Sequence, residues 1–571
     1  MKYAACFLVT TALFVCLLPL GATTQQQSPF QYQIEKTLIA KRGAVVSAHP
    51  LASQAGLSIL QKGGNAIDAA IATQLALAVV YPNAGNIGGG GFMVAQLKNG
   101  KQLALDYREK APAKAHRDMY IEADGTANTD KSQQGHLSSG VPGTVAGLFA
   151  AHQYGKLPFK LLIAPAIALA EKGFVITAAE ARGLNNLKSD LKKYNTQTPA
   201  FIKDGEWKAG DTLVQTDLAN TLKRIRDNGQ AGFYAGPTAD LIVAEMQRGG
   251  GLISKEDLLA YTAQYREPHR FQYKEYSVVG MPMPSSGGVL LHQMLKMIED
   301  RSIASMGFHS PDAVQLMTEV MRRAYADRAA YMGDADFYKV PVKQITDDSY
   351  LTQRMKSFVA GKPTPSNELQ PGAVAGYESE ETTHLSVIDK NGNAVAVTTT
   401  LNNSYGSRTV VGGAGFLLND EMDDFSIKPG VPNMFGAVGG EANAIQPGKR
   451  MLSSMAPTLV LKKGKPYLIV GTPGGTTIPT QIFQTLVNIL EFGMSAQDAV
   501  YKPKFHHQWL PDELVLEKGF PDNTKTALQK MGYKFGKERG GIGRTELILV
   551  RPDGRFEAIA DKRGDDSAAG Y

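Results

Sequence analysis

Residues 381–402 constrain the fold of this chain more than any other stretch. Two alternating, β-branched runs flank Lys390-Asn391-Gly392-Asn393, the pattern of a β-hairpin. The first strand opens on Thr382-Thr383; the second ends in Thr398-Thr399-Thr400 and then Asn402. Two registers are open. A two-residue Asn391-Gly392 loop sets Thr383 opposite Thr400. A three-residue loop, Lys390 to Gly392, with Gly392 left-handed as a bulge, sets Thr382 there instead. Thr398, Thr400 and Asn402 share one face by the period of two. The second register is preferred, because it puts one hydroxyl beside another at a strand start. Strand propensity alone would also account for threonines here.

Around this hairpin the chain alternates further hairpins with long apolar helices. Residues 51–60 and 66–80 read as helices split by Gly63-Gly64-Asn65, and the second is apolar on nearly every side, as a core helix is. The glycine run at 88–91 lacks a following Lys-Ser/Thr and opens no helix, so close backbone packing is preferred to phosphate binding. A second hairpin, 92–107, delivers Arg108 at its exit, where a guanidinium can clamp a carboxylate with two parallel bonds. Residues 272–279 and 412–418 read as strands, and 311–332 as a long helix whose Arg322, Arg323, Asp327 and Arg328 form an ion-paired surface. Residues 362–379, rich in Pro, Gly, Ser and Glu, read as a mobile linker and a possible cleavage region directly before Thr382. Residues 419–425 form an acidic loop, and the Gly/Pro texture of 428–440 reads as a lid. Strand 467–471 ends in Thr472-Pro473-Gly474-Gly475 and feeds a helix, which aims backbone N–H groups in one direction, as oxyanion sites do. A plain tight turn fits the same residues. Hairpins covered by helices favour a layered α/β sandwich with antiparallel sheets over a doubly wound parallel sheet.

Totals exclude some functions. With 571 residues the chain is compatible with two or three domains or one large α/β unit. Sixty Lys and Arg against 54 Asp and Glu, without a basic stripe, argue against nucleic acid. The start has the plan of a secretory signal over residues 1–24, and both cysteines, Cys6 and Cys16, fall inside it. An exported protein would then carry no thiol, disulfide or membrane anchor, and would lie in the periplasm or outside the cell. His506-His507 lacks the spacing of a zinc helix, so no metal is assigned, and no cofactor is called for.

Thr382-Thr383-His384-Leu385-Ser386-Val387, Met422-Asp423-Asp424-Phe425, Leu452-Ser453-Ser454-Met455-Ala456-Pro457, Gly471-Thr472-Pro473-Gly474-Gly475 and Phe505-His506-His507-Gln508-Trp509-Leu510-Pro511-Asp512, in this order, resemble bacterial γ-glutamyltranspeptidase. The resemblance implies an N-terminal-nucleophile hydrolase, a four-layer αββα sandwich that cuts its own precursor between Glu381 and Thr382. It implies a large subunit, 25–381, and a small one, 382–571, assembled as a heterodimer. It implies Thr382 as nucleophile, Thr400 as its hydrogen-bonded orienter, and Gly474 and Gly475 as the oxyanion hole. Arg108, Ser453 and Ser454 would hold a donor α-carboxylate, and Asn402, Glu421 and Asp424 its α-ammonium, with opposite charges at opposite ends of the pocket. The substrates implied are glutathione and other γ-glutamyl compounds, with water, amino acids or dipeptides as acceptors. Position 421 is Glu where some members have Gln, which adds a negative charge facing the ammonium. Phe435 stands in the lid where some have Tyr, so closure there rests on packing. The alternatives are a cephalosporin (glutaryl) acylase of the same superfamily, or an uncut periplasmic protein that only captures glutathione.

Overall fold

The computed structural model describes residues 28–369, 382–428, 431 and 440–571. The expectations for the signal segment, Glu381, Phe435 and most of the linker and lid lie outside these residues.

The hairpin forms as strands Thr383–Asp389 and Ala394–Thr400. Its register pairs Thr383 with Thr399 and Ile388 with Ala394, and one step beyond, Thr382 stands across from Thr400. The loop is the three-residue one. Gly392 sits at φ 82°, its N–H donates to the Asp389 carbonyl at 3.0 Å, and the Asp389 N–H donates to Asn393 at 3.1 Å. A β-branched residue at that φ would be strained, so glycine fixes the turn and the turn fixes the register.

The hairpin sits in the middle of a seven-stranded sheet in the order Ser567–Gly570, Gly43–Ser47, Thr383–Asp389, Ala394–Thr400, Gly90–Gln96, Gln102–Asp106, Gln264–Arg266. A second seven-stranded sheet runs Thr37–Ala40, Phe556–Ile559, Glu546–Val550, Lys465–Gly471, Thr458–Lys462, Tyr276–Gly280, His269–Tyr273. Every ladder in both is antiparallel. Alternation along the hairpin assigns its two faces. Leu385, Val387, Val395 and Val397 pack against one helix layer, including Pro50–Gln61 and Ala66–Val80. Ile388, Ala394 and Ala396 pack against the second sheet, whose far side is covered by Gly287–Ile298, Pro311–Tyr331 and Thr477–Leu490. The layers are therefore helix, sheet, sheet, helix. Ala66–Val80 is the expected core helix: all fifteen residues are buried, and Asn65 and Asp68 close a capping box at its start.

The glycine run packs backbone, as expected. A Cβ on Gly89 would stand 2.1 Å from the Thr400 carbonyl oxygen, and one on Gly88 would stand 2.1 Å from that of Leu417. Three expectations are corrected. Residues 272–279 are not one strand but parts of two, His269–Tyr273 and Tyr276–Gly280, joined by a tight turn with Lys274 at φ 50°. Residues 412–418 form turns, held by an isolated bridge from Val410 to Leu417. Arg322, Arg323, Asp327 and Arg328 are buried rather than on the surface. Glu319 accepts from both Arg322 and Arg323, and Asp327 accepts from Tyr350, Gln293 and Arg354.

The interior between the sheets is close-packed, so it gives a direct test of this layering. Ile469 is fully buried there. Ile469→Ala is expected to cost about 2–5 kcal/mol, read as a lowered urea midpoint with an unchanged slope.

Candidate active site

Thr382 and Thr400 lie on the hairpin face that looks into the space between the sheets, with His384, Ser386 and Thr398. Thr383 points the other way. Its hydroxyl is buried and has no hydrogen-bond partner among the described residues, while Thr382 and Thr400 line a small cavity at the strand end. The parity of the strand thus separates two threonines that composition could not. Asn402, left-handed at φ 77°, follows Thr400 and turns the chain back: its N–H donates to Thr400 Oγ1 at 2.8 Å and its Nδ2 to the Asp420 carbonyl at 3.0 Å. The close imidazole, His384, is bound at Nδ1 by Thr398 Oγ1 (2.9 Å) and at Nε2 by Ser386 Oγ (3.1 Å). Burial pushes its pKa down to about 3. Neutral, bound by hydroxyls and without a carboxylate partner among the described residues, it is not a triad base.

Strand Lys465–Gly471 of the opposite sheet ends beside this cavity. Gly474 and Gly475 then adopt φ 134° and 52° before helix Thr477–Leu490 begins. The Gly474 carbonyl turns into the helix, accepting from Thr477 N at 2.9 Å and Thr477 Oγ1 at 2.6 Å. In a trans peptide the N–H opposes the C=O, so the Gly475 N–H points away from the helix. Gly475 lines the cavity; Gly474 stands one residue behind the wall.

Arg108, Glu421, Asp424, Ser453 and Ser454 also line this cavity. Their arrangement corrects one expectation: the charges are not held at opposite ends. Arg108 Nη1 lies 2.5 Å from Glu421 Oε2 and 3.6 Å from Glu109 Oε2, and Nη2 is bonded to Asp424 Oδ2. Nε and Nη2 also reach the Met451 and Leu452 carbonyls, both at 3.4 Å. One guanidinium faces three carboxyls, with Glu109 and Glu421 fully buried and Asp424 partly exposed. Burial pushes the Glu421, Glu109 and Asp424 carboxyls above their ordinary values, against the opposing pull of Arg108. Burial works against the Arg108 charge too, but the three acids outweigh it and hold it charged. The cluster sets three carboxyls against one guanidinium, a group that suits an ammonium as the acids ionise. The acidic stretch forms a 3-10 turn, Glu421–Asp424, with Asp420, Glu421 and Asp423 buried rather than solvated.

Two charged residues at the site do not show in the sequence pattern. Glu109 stands behind the wall as the third carboxyl facing Arg108, with neither oxygen hydrogen-bonded among the described residues. Arg328 was read as helix surface and instead reaches the cavity beside Ser454. His506 and His507 lie elsewhere, bound to Thr480, Gln508 and Asp512.

Two antiparallel sheets between helix layers, with a threonine at the head of a central strand facing a glycine-turned strand end, define an N-terminal-nucleophile hydrolase of the αββα type. A model of γ-glutamyltranspeptidases matches residues 52–571, and the chain belongs to that family. It is 48% identical to the glutathione hydrolase proenzyme of Escherichia coli strain K12 over 96% of each chain. Among solved structures, cephalosporin acylase from Bacillus halodurans superposes with a TM-score of 0.82 at 28% identity, covering 96% of this chain and 99% of that one. A chain of Helicobacter pylori γ-glutamyltranspeptidase gives 0.56 at 42% identity, covering 60% of this chain and 97% of that one.

Proposed function

We propose that this enzyme is a self-cleaving γ-glutamyltranspeptidase acting on glutathione and related γ-glutamyl compounds. The observation that carries the reading is the single cavity that joins Thr382, Thr400 and Gly475 to an amino-acid-like set of charged and hydroxyl groups.

A threonine hydroxyl needs a neighbouring base at neutral pH, and His384 is ruled out above. Autocleavage supplies one. Thr382 Oγ1 attacks the Glu381 carbonyl, the peptide nitrogen leaves as an amine, and water hydrolyses the ester to free the Glu381 carboxylate. The new α-amine has a reference pKa of about 7.7–8.0 and takes the proton from its own hydroxyl in the next reaction. Oγ1 then attacks the γ-carbonyl of the donor. The oxyanion is held by the N–H groups of Gly474 and Gly475, and the leaving amine takes the proton. The γ-glutamyl ester passes to water or to an acceptor amine, restoring the hydroxyl. Thr400 orients Oγ1; Asn402, Glu421 and Asp424 take the α-ammonium; Arg108, Ser453 and Ser454 take the α-carboxylate.

The subunits would be 25–381 and 382–571, exported after loss of 1–24, with Phe435 closing the lid by packing. The 60% share of this chain matched by the H. pylori chain fits a large subunit of that size. Sequencing the amino terminus of the shorter fragment tests the cut: it should begin Thr382-Thr383-His384. The acylase likeness favours a second reading, glutaryl release. A glutaryl group lacks the ammonium that the acidic wall suits, so a glutaryl anilide should turn over far more slowly than the γ-glutamyl one.

The acids make donor binding pH-dependent with a definite sign. Their pKa values are raised, so they ionise only as the pH climbs above the ordinary carboxylate range. An ionised carboxylate holds the ammonium better, so donor KM should fall over that climb. Glu421→Gln should raise donor KM about 3- to 10-fold and flatten its fall with pH, measured from KM against pH for a γ-glutamyl anilide.

A further inference from the structure

Arg328 lies in the last turn of helix Pro311–Tyr331 and is 7% exposed. Its Nε donates to Ser286 Oγ at 3.1 Å and its Nη2 to Ser454 Oγ at 3.0 Å. No carboxylate among the described residues forms an ion pair with it. That is unusual for a guanidinium withdrawn from water, because two neutral hydroxyls return far less than the lost hydration. The other buried arginines of the same helix follow the ordinary rule: Arg322 and Arg323 both pair with Glu319. Arg328 alone in that helix opens onto the cavity that holds Thr382.

The contrast with Arg108 decides what this charge is for. Arg108 is already surrounded by Glu421, Asp424 and Glu109. Arg328, on the serine side, has no carboxylate in direct contact among the described residues and feels Asp424 only across the cavity. The serines are held firmly around it. Ser286 accepts from Arg328 and donates, through Oγ at 2.8 Å and N at 2.7 Å, to the Ser453 carbonyl. Ser285 Oγ donates to the Met455 carbonyl at 2.5 Å. The 453–455 segment is thus fixed against the turn that also fixes Arg328, and a planar fork of N–H donors is presented beside the Ser454 hydroxyl.

We propose that Arg328, beside Ser454, binds the α-carboxylate of the γ-glutamyl donor as a second cation alongside Arg108, and so selects donors that carry that group. This rests on the γ-glutamyl reading above. It divides the wall by charge: Glu421 and Asp424 hold the ammonium, and Arg328 joins Arg108, Ser453 and Ser454 around the carboxylate.

The test compares two donors in mature enzyme, checked as two subunits on a denaturing gel: γ-glutamyl-p-nitroanilide and the same anilide with its α-carboxylate as a primary amide. Wild type should prefer the first. Arg328→Gln should raise KM for the carboxylate donor on the order of 10- to 100-fold with kcat little changed, and leave the amide donor unaffected, so that the preference collapses. Arg328→Lys, which keeps the charge but not the fork, should show the same pattern at smaller size, and it carries the test if Arg328→Gln stays uncut. Equal losses on both donors, or a wild-type preference in the variants, overturn the proposal. The Ser454→Ala background separates out a purely supporting role: if Arg328→Gln adds no further loss there, Arg328 only positions the serine and the proposal fails. Should wild type leave both anilides intact, the γ-glutamyl reading fails instead.

Discussion

Thr382→Ala is expected to yield one uncut polypeptide and no amide turnover. Two separate losses combine here. On the proposed mechanism the variant lacks the oxygen that attacks Glu381, so no ester should form and no new amino terminus should appear. Without cleavage there is no α-amine, so the base is missing as well as the nucleophile. Nucleophile and base that act as a unit cost, when removed, on the order of 10⁶ in kcat, as in serine proteases. No nearby hydroxyl substitutes. Thr383 faces the helix layer, Thr398 is bound to His384, and Thr400 accepts from the Asn402 N–H. A fold defect is not expected, since a methyl side chain fits where a larger one stood. The measurement is a denaturing gel beside an anilide assay: wild type gives two bands and turnover, the variant one band and none. Thr382→Ser, which keeps the oxygen, should recover both. A cut Thr382→Ala chain would show that another group performs the first attack.

The hairpin was legible because its information is local. Gly392 selects the loop, the loop selects the register, and alternation then places Thr382 and Thr400 on one face. Ala66–Val80 was legible for a similar reason: only a helix buried all round can be apolar all round. What the sequence concealed depends on distant partners. Arg322, Arg323, Asp327 and Arg328 form the charged stripe of a solvated helix, yet their partners include Ser366, Asp512, Tyr350 and Ser454, contributed by other segments. The turn at Lys274 carries no glycine or asparagine, so two strands read as one. The outer strands Thr37–Ala40 and Ser567–Gly570 are short and pair across most of the chain length. The charge balance of the cavity was concealed most completely. Arg108 and Asp424 are 316 residues apart, and nothing in either segment announces that the cation meant for one end of a substrate rests among the acids meant for the other.

Gly475→Ala is expected to lower kcat on the order of 10²–10³ for donor turnover while leaving donor KM nearly unchanged. The split follows from when the contact forms. The Gly475 N–H is turned toward the cavity because the Gly474 carbonyl is tied to Thr477, so it meets a full negative charge only as the tetrahedral oxyanion develops. The ground-state carbonyl gains little from it. Alanine retains an N–H, but φ 52° at this position is a conformation that costs an L-residue about 1–2 kcal/mol, and relief of that strain rotates the donor away from its line. Gly474→Ala should be more damaging to the local structure. Its φ of 134° is nearly closed to other residues, and its Cβ would stand 2.4 Å from Thr477 Oγ1, which breaks the bond that aims the peptide. Autocleavage passes through an oxyanion as well, so both variants should also mature more slowly, visible as uncut chain persisting in a time course after synthesis. A Gly475→Ala enzyme with unchanged kcat and raised KM would place this peptide in ground-state binding and leave the oxyanion without its assigned donor.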